Sequence, residues 1–441
     1  MTPAKHNSIG LPDRLPPGWA TQPIKRQYQV ELGKMLQSEP TNTNHVLRPY
    51  LRAANVTSHG IDVSDVREMW FTPSEWRRTR LAPGDLLISE GGDVGRPAVW
   101  DGELTECGIQ NALNRARSVG HLSNMFLLYV LTSLRANGAI DVVCNKATIP
   151  HFTAEKVGAT IIPVPPVGLE ELITAHIDAE TSRVDALINR KQRFIELLLE
   201  KRTALVAHTV TKGLDPTVEL KHSGAPWFGS VPAHWPIVRL GYFARISNGS
   251  TPSRNEPDYW INGTVPWMSS AKVNEDRIIE PSELITEKAL RECSISVILA
   301  GSVVIGLIGQ GRTRGTVALL TIDATINQNM AAIISYGRVH GRYLQYQLTN
   351  MYAVIREYGR GGNQAALNCA LVADLRLPLP EFSEQAAIAG FLDAETSKID
   401  TLVNKTASSV ALLSEYRTAL ITAAVTGQID IPGTETTEEV A

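Results

Sequence analysis

The chain has 441 residues, of which 43% are apolar and 20% charged, with a formal net charge of −3. That is enough for two or three domains with full cores, and it excludes a small fold that depends on metal or disulfide staples. The four cysteines, Cys107, Cys144, Cys293 and Cys369, are widely spaced without a CxxC pair, so they read as reduced structural thiols of an intracellular protein and not as a zinc site.

Taken whole, the charge argues against a nucleic-acid partner, but it is unevenly spread. Lys and Arg against Asp and Glu give +2 for residues 1–165, −2 for 166–220, +4 for 221–376 and −7 for 377–441. Two basic lobes alternate with two acidic connectors, an arrangement suited to lobes that touch an acidic polymer. The first ten residues, MTPAKHNSIG, carry no signal pattern, and no run approaches 18 apolar residues, so the expected location is cytoplasmic.

In chain order, LPPGW (residues 15–19) opens a first lobe and VPAHW (231–235) a second. RPYLRAANV (48–56) and VPWMSSAKV (265–273) each predict a short strand running into a polar loop. LAPGDLLISEGGDVGR (81–96) and LAGSVVIGLIGQGRTRG (299–315) each predict a Gly turn, an apolar strand and a glycine-rich loop. Neither loop is followed by Lys-Ser/Thr or by a helical pattern, which excludes a Walker-type phosphate loop and favours a hairpin turn. IQNALNR (109–115) and INQNMAA (326–332) are strand-like with embedded amides. Short helices follow at 124–134 and 341–351, then a polar turn, and each lobe closes on an apolar-Pro strand at a sheet edge, IIPVPP (161–166) or LRLPLP (375–380).

Residues 178–215 and 393–430 align without a gap at an offset of 215, with 18 of 38 positions identical. The chain is therefore two copies of one unit. Both copies lack Pro through 178–210 and 393–425 and are rich in helix formers, predicting helices of about 50 Å. A seven-residue grid places Val184, Leu198 and Leu205 on one seam with Leu187 and Phe194, and in the second copy Ile399, Leu413 and Leu420 with Leu402 and Tyr416. Lys191 and Thr406, at aligned places, interrupt each seam. A two-helix coiled coil is the expectation.

No catalytic constellation appears. The nearest string to a methyltransferase tetrapeptide, Asn255-Glu256-Pro257-Asp258-Tyr259, has the wrong order, and the carboxylates of the lobes are scattered rather than clustered for metal work. His151, His208 and His234 have no partner at ligand spacing. Catalytic and metal residues are accordingly none.

Two tandem lobes, each followed by a copy of one long helix, with the strings YLRAANV, APGDLLIS and the paired RTALV/RTALI, resemble the specificity subunits of type I restriction-modification systems. The resemblance covers essentially the whole chain. It implies an α/β (α+β) fold with an internal pseudo-twofold repeat: a target-recognition domain at 1–167, a helical repeat at 168–215, a second target-recognition domain at 216–380, a distal helical repeat at 381–430 and a disordered acidic tail at 431–441. The two helices would pair antiparallel and set the distance between the lobes. It further implies a non-catalytic subunit that reads a split site in double-stranded DNA with an unspecified spacer. Two methyltransferase subunits, with S-adenosylmethionine bound in them, and restriction subunits would dock on it to modify adenines or cut.

The expected DNA contacts are basic residues in polar, Gly-rich turns: Arg77, Arg78, Arg80, Arg96, Arg115 and Lys146 in the first lobe, and Arg254, Lys272, Arg312, Arg314 and Arg360 in the second. Gln310, Asn363 and Gln364 are the candidates for base edges. Two other classes stay open, a duplicated protein-binding adaptor without salt-dependent DNA affinity and a single-chain enzyme that would bind S-adenosylmethionine by itself.

Overall fold

The computed structural model describes residues 10–12, 14–144, 150–225, 227–309, 311–359 and 366–432. Its two longest elements are helices of 44 residues each, the central helix Leu169–Lys212 and the distal helix Phe382–Val425. At 1.5 Å per residue each is about 66 Å long, because helical geometry starts well before the repeated DAETS strings. The central helix opens on Glu170 and Glu171 and ends on Lys212, charges that suit its dipole.

The chain divides into two compact units, 1–192 with 407–441 and 193–406. Each unit thus owns one lobe, half of the central helix and half of the distal helix, so the compact bodies cut across the sequential order of lobe, helix, lobe, helix.

In the first unit a four-stranded antiparallel sheet runs in the order Tyr28–Leu32, Leu113–Ser118, Leu86–Ser89, Pro97–Val99. A second sheet has Val46–Leu51 between Arg67–Phe71, antiparallel, and Gly108–Ile109, parallel. The opening strand Ala20–Pro23 pairs with the closing strand Ile161–Val164. Leu86–Ser89 is buried on both faces, which is why its sequence is a continuous apolar run rather than an alternation. The helix Asn124–Ala136, capped by Ser123 on the amide of Phe126, lays Phe126, Leu127, Val130, Leu131 and Leu134 into the core. Ile173 and Ile177 of the central helix and Ile421, Ala424 and Val425 of the distal helix share that core.

The second unit repeats the plan. Ala244–Asn248, Met330–Ser335, Val303–Gly306, Val317–Leu320 and Arg277–Ile278 form a five-stranded sheet, and Val265–Met268 lies between Glu283–Ile285 and Thr325–Ile326. Ile237–Arg239 pairs with the closing strand Arg376–Pro378. The helix Gly341–Asn350 packs beside Val206 and Val210 of the central helix and Ile388, Ala389 and Leu392 of the distal helix.

Within each unit the helix halves run antiparallel. In the first, Ile177 shares a core with Ala424, and eight residues further on Asp185 meets Arg417 at 2.8 Å. In the second, Arg202 meets Asp400, and Val206 and Val210 lie with Leu392 and Ile388.

The seam differs from the expected one in phase. Val184, Leu198 and Ile399 are buried and Leu205, Leu413 and Leu420 half-buried, but Leu187, Phe194, Leu402 and Tyr416 are 42–52% exposed. Covered instead are Thr181, Ile188, Ile195, Arg202 and Thr209, and at the same offset of 215 Thr396, Val403, Val410, Arg417 and Ala424. The spacing is still an alternation of three and four, but the second row lies four residues after each anchor rather than three. Choosing the bulkiest residue of each heptad, Leu or Phe, selected the solvent side.

A second correction concerns the tail. Ile431 is 6% exposed and, with Ile429, packs on the first unit's core, so order extends past residue 430. Residues 433–441 of the expected disordered tail lie outside the described residues.

Candidate nucleic-acid interface

The strings INQN and IQNA fold into the same hydrogen-bonded turn. In the first lobe Lys34 N–H donates to Ile109 O at 2.9 Å, Gln110 N–H to Leu51 O at 2.9 Å and Leu113 N–H to Gln110 O at 2.9 Å. In the second, Ser250 donates to Ile326 at 3.0 Å, Asn327 to Met268 at 3.0 Å and Met330 to Asn327 at 3.3 Å. A glycine makes room each time: a Cβ on Gly33 would lie 2.2 Å from Gln110 O, and one on Gly249 1.7 Å from Ile326 O. Only a residue without a side chain allows this approach.

Two more segments join each turn. Glu90 N–H donates to Ala112 O and Phe152 N–H to Glu90 O, at 2.9 and 2.8 Å; Leu307 donates to Asn329 and Leu367 to Leu307, both at 2.9 Å. Glu90 and Leu307 are the roots of the two glycine-rich loops. Those loops link antiparallel strands, as expected of hairpins, and the loop in the second lobe is three residues longer, counted from Ser89 to Gly95 and from Gly306 to Gly315. One end of each lobe therefore gathers the amide turn, the root of the glycine hairpin and the segment that carries Phe152 or Leu367.

The expected contact residues divide by environment. Arg77, Arg78 and Arg80, on or just after the helix Pro73–Thr79, and Arg312 on the second hairpin are exposed, with no carboxylate partner among the described residues. Arg314 is half-buried beside Arg312; the carbonyls of Gly311 and Arg314 accept from Arg356 Nη1 at 2.7 and 3.3 Å and that of Arg312 from Tyr352 Oη at 3.1 Å, which fixes the hairpin's path.

Others are engaged internally. Arg96 pairs with Asp93, which also takes Arg135. Lys272 meets Glu275 at 2.8 Å and Glu280 at 3.5 Å. Arg254 holds both oxygens of Glu283 at 2.6 Å and lies 3.6 Å over the ring of Trp260, so it staples the second lobe's aromatic cluster. Arg115 is the clear departure: it is 3% exposed on a central strand and donates Nη1 to Arg80 O at 2.8 Å, because an arginine there faces the core side of the sheet. Lys146, Gln310, Arg360, Asn363 and Gln364 lie outside the described residues.

The internal repeat carried a signal that charge clustering alone missed. Thr72 caps the helix Pro73–Thr79 and Thr286 caps Glu287–Glu292, and counting from these caps puts Arg291, exposed, where the first lobe has Arg77.

Each lobe is docked on its helices by one tyrosine. Tyr129 Oη donates to Asp178 and Tyr346 Oη to Asp393, the aspartates that begin the two DAETS strings. Burial, and then the neighbouring carboxylate, hold the Tyr129 phenol protonated well above its ordinary range. In the second unit Arg342, 7% exposed, adds bonds to Asp393 at 2.6 Å and to Asp276 at 2.9 Å. Burial opposes ionisation of Asp393, but the bonds from Tyr346 and Arg342 outweigh it and hold its carboxyl below the usual range.

Among the described residues no three His, Cys, Asp or Glu could hold a metal, and no helix is long and apolar enough to cross a membrane. Burial pushes the Cys107 thiol up to about 12, too high for a nucleophile at neutral pH.

Residues 232–409 match the family model described as the type I restriction modification DNA specificity domain. The chain is 29% identical over 170 residues to the EcoR124I/EcoR124II type I restriction enzyme specificity subunit of Escherichia coli, a match covering 37% of this chain and 41% of that one. The MjaIX specificity subunit of Methanocaldococcus jannaschii is 28% identical over 37% of this chain and 38% of its own. These two matches thus span about two fifths of each relative. A match of 23% identity to the MjaX specificity subunit of M. jannaschii runs over 97% of this chain and 96% of that one. In fold, the chain superposes with a TM-score of 0.75 on a chain of a type I R-M system, at 19% identity over 95% of this chain and 100% of that one. It superposes with 0.57 on the HsdS subunit from Thermoanaerobacter tengcongensis, at 20% identity over 95% and 99%. A duplicated lobe and helix repeat in structure as in sequence, the second copy matches the DNA specificity domain, and along its whole length this chain is similar to a type I restriction enzyme specificity subunit.

Proposed function

We propose that this chain reads a bipartite double-stranded DNA target, one half-site per lobe, and positions two methyltransferase subunits, and restriction subunits where present, at that target. The chain itself is non-catalytic, and S-adenosylmethionine binds in the methyltransferase partners. The observation that carries this reading is the twofold recurrence of one loop-bearing lobe end, built from the same hydrogen bonds in both units, with exposed cations beside it in Arg77, Arg78, Arg80 and Arg312. Lobes that differ in hairpin length and residues while sharing a frame suit two different half-sites. Docking of one partner twice is supported by Leu187 and Leu402, and by Leu197 and Leu412, pairs at the repeat offset that are all exposed.

The test is to map methylated adenines in the DNA of cells carrying this chain with its methyltransferase. Two specific elements separated by a fixed number of unspecified bases are expected; a single uninterrupted element, or methylation without sequence preference, refutes the reading. Alanine at Arg312 should weaken binding to all sequences and lower the salt slope by about one unit.

A further inference from the structure

Where two lobes read different half-sites, groups that read bases must differ between lobes, and groups that hold the DNA backbone are free to stay the same. The two lobe ends divide along that line. The glycine hairpins differ in length and in charge, Glu90-Gly-Gly-Asp-Val-Gly against Leu307-Ile-Gly-Gln-Gly-Arg-Thr-Arg-Gly. The amide turns beside them share three backbone hydrogen bonds, each has a glycine pressed against a carbonyl, and each has an amide at its tip, Asn111 or Gln328.

Both amides reach solvent, Asn111 half-buried and Gln328 exposed. Asn111 is held through its backbone, whose N–H donates to Lys34 O at 2.8 Å, and its side chain has no hydrogen-bond partner among the described residues. Gln328 Oε1 accepts from Thr251 Oγ1 at 2.5 Å, which leaves the Nε2 hydrogens without an acceptor among the described residues. Nothing in either core requires a polar amide there. A donor on a turn too tight to move, at the rim of a loop-bearing end, is the arrangement that grips a phosphate or sugar oxygen.

We infer that Asn111 and Gln328 are sequence-independent backbone clamps, each donating its amide N–H to a DNA phosphate or sugar oxygen of its half-site, and that base reading falls to the dissimilar hairpins. The inference rests on the DNA-reading function proposed above.

The experiment uses the complex of this chain with its methyltransferase subunits. Affinity is measured over a salt series for a duplex carrying the mapped target and for an unrelated duplex. Asn111→Ala and Gln328→Ala are each expected to weaken both duplexes alike, by about 3- to 10-fold, the loss of one solvent-exposed hydrogen bond from an uncharged donor. The salt slope should stay unchanged because no charge is removed, and the methylated sequence should stay the same. Asn111→Gln and Gln328→Asn, which keep the donor, should recover most of the affinity at an unchanged unfolding midpoint. Relaxed preference at one base position, with the unrelated duplex unaffected, would make the amide a base reader and overturn the inference. Wild-type affinity in both alanine variants would overturn it too. Failure of the wild-type complex to bind DNA at all would instead remove the function on which it rests.

Discussion

Arg202 of the central helix donates Nε and Nη2 to the two carboxylate oxygens of Asp400 on the distal helix, at 2.9 and 3.3 Å. Shifting both numbers by the repeat offset gives the pair that closes the other unit, Arg417 Nε on Asp185 at 2.8 Å. An antiparallel pair of identical helices has this property: a contact from i to j forces one from j to i. The arginines sit at covered positions of the seam and reach aspartates at its exposed edge, where the pairs specify which residues face each other.

Their stabilisation should be small, because Arg202 and Asp400 side chains are 30% and 47% exposed. A double-mutant cycle on Arg202→Ala and Asp400→Ala by chemical denaturation should return a coupling of about 0.5–1 kcal/mol. The swapped pair, Arg202→Asp with Asp400→Arg, should retain most of it. A coupling indistinguishable from zero would mean that apolar packing alone sets the register.

The phase of the seam is tested by comparing neighbours. Leu198→Ala, at a site 7% exposed, should cost about 2–4 kcal/mol. Phe194→Ala, at a site 46% exposed, should stay within about 0.5 kcal/mol in the isolated chain. Equal losses at both would restore the narrower seam that Leu and Phe spacing alone suggests.

Gly33→Ala and Gly249→Ala should both be destabilising, by about 1–3 kcal/mol, since the new methyl would sit inside van der Waals contact of a backbone carbonyl. Gly249, with the closer approach, should lose more. Thermal unfolding of the two variants orders them.

The Asp393 network predicts a pH dependence of known sign. A carboxyl whose folded pKa lies below its unfolded value contributes stability that is complete above about pH 4 and disappears as pH falls through the lowered folded value. Asp393→Asn should therefore flatten the acid limb of the stability curve while lowering stability at neutral pH. Arg342→Met, which installs the apolar side chain type that Met125 supplies in the first unit, should cost about 1.5–3 kcal/mol through lost charge-assisted bonds. An unchanged acid limb in Asp393→Asn would refute the assignment.

Much of this protein follows from its sequence because duplication is a one-dimensional fact. The offset of 215, the absence of proline through both helices and the apolar runs at Leu86 and Val303 determine two lobes and two long helices before any coordinate is known. Heptad spacing likewise determines that a seam exists. Which phase it takes depends on what covers each helix, and Ile188 and Ile195 face inward while Leu187 and Phe194 do not because the antiparallel partner and the lobe core lie on that side. Charge in a Gly-rich turn is equally visible in sequence, but its availability is not: Arg115 is turned inward by the pleat of its strand, and Arg254 is spent on Glu283 and Trp260 across 29 and 6 residues of chain. The amide turn shows the same division. Its letters are plain in IQNA and INQN, but only the tertiary structure brings Gly33 and Gly249 against them, because close approach of two backbones leaves no trace in composition beyond the lack of a side chain.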